Sequence, residues 1–238
     1  MERTPRDAQS IPSTDGVRVE LIEDRTSAVP SDGGFIKVRR YTLATRYRDG
    51  RVSERYPYDV VDRDALDAVL IVLTAAQLGH ARDPLVCLRT ALRPPVALRA
   101  QRTLAVPEQR TALLWELPAG LIELAPSADP VRDTAARECR EETGYAVASD
   151  QFETLGAPVF LTPGLCAEKI HFVHAWVDRD DPRDVTATEL VEQASEIAWV
   201  ALSQALELAA QGVIQDCKTE LALRRLADNL ASSSEDDR

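Results

Sequence analysis

The stretch Arg137-Glu138-Cys139-Arg140-Glu141-Glu142-Thr143-Gly144 decides how this chain is read. Upstream stand Asp129, a good N-cap, and Pro130, which suits the first helical position; Gly144 is a natural stop. Together they predict a helix over roughly 130–143. At about 100° per residue, Val131, Ala135 and Cys139 share one face, with Ala136 at its margin. Glu142 falls between Val131 and Ala135 on that wheel, Glu138 lies beside Val131, and Glu141 sits at the edge. Asp133, Arg137 and Arg140 point the other way.

Glu-rich helices usually present a solvated face. That explanation fits poorly here, because two carboxylates project from the side that should meet the protein. Carboxylates so close repel and are costly to bury unpaired. A hard divalent cation relieves both problems, since Mg²⁺ prefers oxygen ligands and bridges to substrate phosphates.

These residues resemble the Nudix hydrolases, whose box reads G-x5-E-x7-R-E-U-x-E-E-x-G-U, with U apolar. Arg137, Glu138, Cys139, Glu141, Glu142, Gly144 and Tyr145 match its second half in register, and Asp129 stands where the family has its first Glu. Gly120 lies seventeen residues before Arg137 instead of fourteen, which a three-residue insertion between Gly120 and Asp129 explains. Ala112–Gly120 resembles the family's "W-E-L-P-A-G" strand and turn. That likeness implies a metal-binding carbonyl at Ala119 and a cleft carboxylate at Glu116.

Around this centre the 238 residues suggest one or two domains with a sizeable core. A net charge of −11 argues against nucleic-acid backbone binding. Four scattered cysteines without a C-x-x-C pair read as reduced, mostly packed thiols of a cytoplasmic protein. No apolar run resembles a signal peptide or a membrane span. Residues 1–15 and the acidic tail 231–238 read as disordered. Residues 16–63 read as a small β meander, in which Val17–Ile22 leads and Asp49-Gly50 marks a hairpin. Its arginines read as a solvated sheet face.

The catalytic domain then spans 64–230. Ala65–Thr74 reads as a buried strand with Leu85–Leu88 as its partner, and Arg99–Arg110 as a long loop. Phe152–Phe160 reads as one strand and Lys169–Val177 as another, on which His171 and His174 face opposite sides. Ser203 is the expected cap of a helix ending at Gly212, and a last helix runs over 216–229. Arg89–Pro95 resembles the "R-x-x-R-P" segment of ADP-ribose pyrophosphatases, with the first Arg one residue out of register, so Arg93 is a candidate phosphate ligand. Pro163-Gly164 and Glu168 resemble that group's "S-P-G-x-x-x-E" loop, which adds Gly164 and Glu168 as substrate contacts.

The resemblance implies a Nudix α/β/α sandwich with a small N-terminal antiparallel β domain. It also implies Mg²⁺-dependent hydrolysis, with Mn²⁺ able to substitute, of a nucleoside diphosphate sugar. ADP-ribose, cleaved to AMP and ribose 5-phosphate, comes first. GDP- or UDP-sugars, dinucleoside polyphosphates and a non-catalytic nucleotide-sugar sensor are the alternatives. Glu138, Glu141, Glu142 and the Ala119 carbonyl are the expected metal ligands, and Arg137 the residue that orients them. Glu192 in the loop before Trp199 is the expected general base, with Glu189, Glu196 and Glu141 as rivals. A homodimer is expected, in which the β meander of one subunit covers the other's cleft. Replacing Glu142, as a metal ligand on the inward arc, by Gln should abolish hydrolysis yet relieve carboxylate repulsion, so that stability without metal is unchanged or raised.

Overall fold

The run Ala68–Ala75 is apolar except for Thr74, and such a strand needs cover on both faces. It receives that cover in the computed structural model, which describes residues 34–46, 51–79, 82–106, 112–181 and 195–232. In chain order the elements are β1 (Lys37–Leu43), β2 (Tyr56–Asp62), β3 (Ala68–Ala75), β4 (Leu85–Leu92), the short α1 (Pro94–Leu98), β5 (Leu113–Glu116) and β6 (Ala119–Leu121). Then follow α2 (Pro130–Thr143), β7 (Glu153–Thr154), β8 (Val159–Phe160), β9 (Lys169–Trp176), β10 (Ile197–Ala201), α3 (Leu202–Ala210) and α4 (Cys217–Ser232).

The period of two along β3 divides the core. Ala68, Leu70 and Val72 pack with Leu202, Ala205, Leu223 and Leu226 of α3 and α4. Val69, Ile71 and Leu73 pack with Ala135 and Cys139 of α2. The result is the expected sandwich, helix on sheet on helices. Burial pushes the Cys139 thiol up to about 11, as a packed rather than reactive cysteine requires. Among the described residues no helix is long and apolar enough to cross a membrane.

The main sheet has the order β10-β4-β3-β9-β7, with β5 joining β4, β6 joining β3 and β8 joining β9. β3 runs parallel to β9 from Ala68 opposite Ile170 to Thr74 opposite Trp176. It meets β4 only at Thr74–Val86 and Ala75–Leu85. Beyond those pairs the two strands part. β4 takes β5 as its partner, with Arg89 opposite Glu116, while β3 takes β6, with Val69 opposite Gly120. The Leu117-Pro118 turn bridges the fork: the Ile71 N–H donates to the Pro118 carbonyl (2.8 Å), and the Leu117 N–H to Thr219 Oγ1 (2.9 Å). This fork opens the cleft described below.

α2 begins and ends as its sequence predicts. Asp129 accepts from the Arg132 N–H (3.2 Å), and Gly144 adopts φ 77° while its N–H reaches the Arg140 carbonyl. Other expectations need correction. Phe152–Phe160 is two short strands, β7 and β8, because Gly156 turns the chain at φ 78° before both pair with β9. Ser203 does not cap α3 but is itself capped, its N–H and Oγ both donating to the Asp83 carboxylate (2.8 and 2.7 Å). The loop expected from Arg99 begins with a 3-10 turn, Arg99–Gln101, continuing from α1. His174 is buried and bonded to Thr74 Oγ1 (2.8 Å), whereas His171 lies on the opposite face of β9.

In the N-terminal part, β1 and β2 form an antiparallel ribbon with Leu43 opposite Tyr56 and Lys37 opposite Asp62. The expected strand Val17–Ile22, the turn Asp49-Gly50 and the two terminal segments lie outside the described residues, apart from Ala231 and Ser232, which end α4. The ribbon docks on the loop before β9 through Val61 N–H to the Leu165 carbonyl (2.9 Å) and Tyr58 Oη to the Gly164 carbonyl (2.8 Å).

Because the Asp83 carboxylate supplies the cap of α3 from a distant loop, Asp83→Ala should cost about 1 kcal/mol. That is roughly 2–4 °C in Tm for a domain of this size. Thermal unfolding without substrate checks it, with turnover unchanged as the expected companion; an unaltered Tm would show that water caps α3 equally well.

Candidate active site

The phase of α2 brings its carboxylates to the fork. Glu142 is nearly buried, its side chain 6% exposed, and it receives two donors. The Ala119 N–H donates to Glu142 Oε2 (2.9 Å), and the Arg89 guanidinium pairs with Glu142 Oε1. Arg89, on β4, is equally buried at 7%, and its Nε donates to Ser195 Oγ (3.2 Å). Removing two charges from water is tolerable only when each has its counter-ion and its hydrogen bonds.

Glu138 lies one turn earlier, over the β5–β6 turn. A Cβ at position 120 would overlap its carboxyl group, so Gly120 is what allows that carboxylate to lie against the backbone. Arg137, expected to face away, instead folds back over the helix. Its Nη2 stands 2.8 Å from Glu138 Oε1, and its Nη1 donates to Glu141 Oε2 (2.9 Å). Arg137 and Glu141 are each a little over a third exposed, whereas Glu138 is 12% exposed. Arg137 therefore lines the same cleft as the glutamates it was expected to orient.

Across the fork, Glu116 is 2% exposed and does not face the cleft. Arg93 clamps it with two parallel bonds, Nε to Oε1 (2.8 Å) and Nη2 to Oε2 (2.6 Å). Lys218 Nζ, from the first turn of α4, adds a third bond to Oε2 (2.6 Å) and pairs with Asp216 (2.8 Å). Burial works to raise the Glu116 carboxyl, but its bonds and charges from Arg93 and Lys218 prevail and hold it below the usual carboxylate value. Glu116 thus anchors two cations whose outer surfaces line the cleft.

The cleft measures about 680 Å³. Glu138, Glu141 and Glu142 line one side, and Arg89, Arg93 and Lys218 supply positive charge. Glu168 also lines it and is held by an ion pair with Arg63. Gly164 does not line it and serves the ribbon contact instead. Glu189 and Glu192 lie outside the described residues. Glu196 is exposed and bonds through its backbone to Thr90.

A model of the NUDIX domain matches residues 86–217, more than half of the chain. The chain belongs to the Nudix hydrolases. A GDP-mannose pyrophosphatase of Cronobacter sakazakii (strain ATCC BAA-894) is 30% identical over 213 residues, covering 88% of this chain and 95% of its own length. A GDP-mannose pyrophosphatase of Salmonella arizonae (strain ATCC BAA-731 / CDC346-86 / RSK2980) is 37% identical over 92 residues, 38% of this chain and 45% of its own length.

The donor chemistry of the Nudix box fits a hard divalent cation. Glu138, Glu141 and Glu142 line the cleft beside the backbone of Ala119, all oxygen donors with no soft ligand among them. Their charges, however, are already met by arginines. Among the described residues no three acidic, His or Cys side chains converge tightly enough to hold an ion. The expectation that Glu142→Gln would relieve repulsion and hold stability therefore needs correction, because Arg89 answers the Glu142 charge. Arg89, Arg63 and Lys218 were missed as site residues. The signal for Arg89 was an arginine inside an otherwise apolar strand, where a charge needs a partner.

The buried Glu116 network should show in the pH dependence of stability. A carboxyl held low in the folded state contributes fully above its unfolded value of about 4.3 and loses that contribution as pH falls through the lower folded value. Glu116→Gln should therefore lower stability by about 3 kcal/mol at neutral pH. The gap from wild type should close under acid, as urea unfolding across a pH series would read. A gap independent of pH would contradict it.

Proposed function

We propose that this Nudix hydrolase cleaves the diphosphate bond of a nucleoside diphosphate sugar. The observation that carries the reading is one cleft walled by the box glutamates on one side and by Arg93 and Lys218 on the other. A diphosphate is an anion that repels an attacking water, so its cleavage needs concentrated positive charge and fixed orientation. Arg93 and Lys218 are held rigid by Glu116 and retain outward donors for phosphate oxygens. The cleft volume falls in the range used for ligands of nucleotide-sugar size.

Glu138, Glu142 and the Ala119 carbonyl would hold Mg²⁺, with Glu141 supporting the cluster or a second ion. When bound, the cation supplies charge neutralisation of the diphosphate and a lowered pKa for an attacking water. Glu192 is the proposed proton acceptor, since the box carboxylates are committed to the cation. The likeness to two GDP-mannose pyrophosphatases favours a GDP-hexose as substrate. ADP-ribose is the second reading, favoured by the Arg93-Pro94 and Pro163-Gly164 segments.

Release of nucleoside monophosphate from GDP-mannose, ADP-ribose and UDP-glucose, with Mg²⁺ or with chelator, tests the reading. Metal-dependent turnover is expected on GDP-mannose first, and Glu142→Gln should lower kcat by 10²-fold or more, on the order of an essential charge-stabilising group. Because Glu142 is paired with Arg89, the same variant should lose about 3 kcal/mol without metal, roughly 6–12 °C. Near-wild-type turnover of Glu142→Gln would overturn the assignment.

We also propose that the chain is a homodimer. Both strands of the ribbon expose large apolar side chains, Val38, Tyr41, Leu43, Tyr56 and Tyr58, with Phe35, Ile36 and Leu165 beside them. An isolated two-stranded ribbon is marginal in water, and an apolar patch of this kind marks an interface. Light scattering at micromolar concentration should give twice the chain mass of 26.2 kDa. Val38→Glu with Tyr41→Glu should give the monomer; a wild-type monomer with full activity would refute the proposal.

A further inference from the structure

We propose that Arg89 is an internal latch on the metal site, occupying Glu142 until a divalent cation displaces it. The inference rests on the reading above that Glu142 holds the cation.

Two classes of arginine meet the box glutamates, and they differ in burial. Arg137 is 38% exposed and Glu141 37%, so that pair is screened by water and easily opened, while Glu138, at 12%, meets Arg137 only from the open side. The Arg89–Glu142 pair is 7% and 6% exposed, and water offers neither partner a substitute. Glu142 Oε2 is also engaged, by the Ala119 N–H. A cation approaching Glu142 therefore meets a carboxylate whose two oxygens already have donors.

Arginine cannot resolve this by giving up its proton. Guanidinium and cation compete for the same oxygen, and holding both beside one carboxylate would place like charges together. On this proposal Arg89 releases Oε1 and turns into the cleft, whose wall it already forms. Its Nε bond to Ser195 Oγ supplies a pivot, because Ser195 is itself fixed by a 2.9 Å bond to the Thr90 carbonyl. Cation affinity is thus the difference between binding the ion and giving up the latch. The latch keeps the empty glutamate site folded and sets a threshold for metal loading.

The test is a Mn²⁺ titration of the full chain without substrate, following the free-ion signal by electron paramagnetic resonance. Arg89→Met should bind Mn²⁺ about 10-fold more tightly than wild type, a change typical of losing one competing partner. The metal-free variant should also melt lower than wild type. A displaced contact differs from a remote charge in its salt response, since 0.5 M salt screens the latter. The gain should therefore persist at 0.5 M NaCl. Arg89→Lys keeps the charge but cannot form the same planar contact, and it should gain several-fold; if Arg89→Met does not fold, this variant decides alone. Affinity unchanged or weakened, or a gain abolished by salt, overturns the latch. Glu142→Gln separates the two levels: if it binds Mn²⁺ as wild type does, the metal reading itself fails, whereas lost affinity with no gain in the Arg89 variants removes only the latch.

Discussion

Glu142 and Arg89 meet at the base of the cleft with almost no water around either, and much of the molecule is arranged so that they can. A buried carboxylate needs its counter-charge within hydrogen-bonding reach, and the two groups come from a helix and a strand 53 positions apart. The helix must end at Gly144 and begin at Asp129, because a shift of one residue rotates every side chain by about 100° and would swing Glu142 away from the fork. The strand must part from β3 after Val86, because a continuous β3–β4 ladder would close the space into which both side chains project. The β5–β6 turn then fills the fork, and its Ala119 N–H completes the bonding of Glu142.

The same rule governs Glu116, with a different outcome. Glu142 lines the base of the cleft with one guanidinium and one amide as donors, and on the proposed reading a divalent cation competes for it. Glu116 is withdrawn behind Arg93 and Lys218, which satisfy it with three bonds. Glu142 is the carboxylate proposed to take an ion, whereas the charge of Glu116 is used in holding two cations at the cleft wall. Because Glu116 keeps Arg93 and Lys218 for itself, they line the same cleft as the box glutamates without pairing with them.

Much of this was readable along the chain, and the exceptions have physical causes. The helix Pro130–Thr143 is specified locally, by its cap, its proline and its glycine, so its bounds and its inward carboxylates followed from spacing. The strand Ala68–Ala75 announced itself by an apolar run that only a doubly covered strand can use. Arg89 was harder to place, because its meaning depends on which side of β4 faces α2, a fact of register between distant segments. Lys218 reaches Glu116 across 102 positions, and Asp83 reaches Ser203 across 120. Local capping rules assigned Ser203 the role that a remote aspartate performs. Arg137 illustrates a further point: the wheel correctly set its backbone outside the inner face, but a long flexible side chain can fold back to charges one turn away.

The central claim is that the glutamates now held by arginines form the cation site of a nucleotide-sugar hydrolase. The most direct measurement is an anomalous difference map from crystals of the full chain grown with Mn²⁺ and a non-hydrolysable GDP-hexose analogue. The account predicts a peak coordinated by Glu138, Glu142 and the Ala119 carbonyl, with the Arg89 guanidinium withdrawn from Glu142 and the diphosphate contacting Arg93 or Lys218. A peak elsewhere, or a bound ion with the Arg89–Glu142 pair still closed, would contradict it.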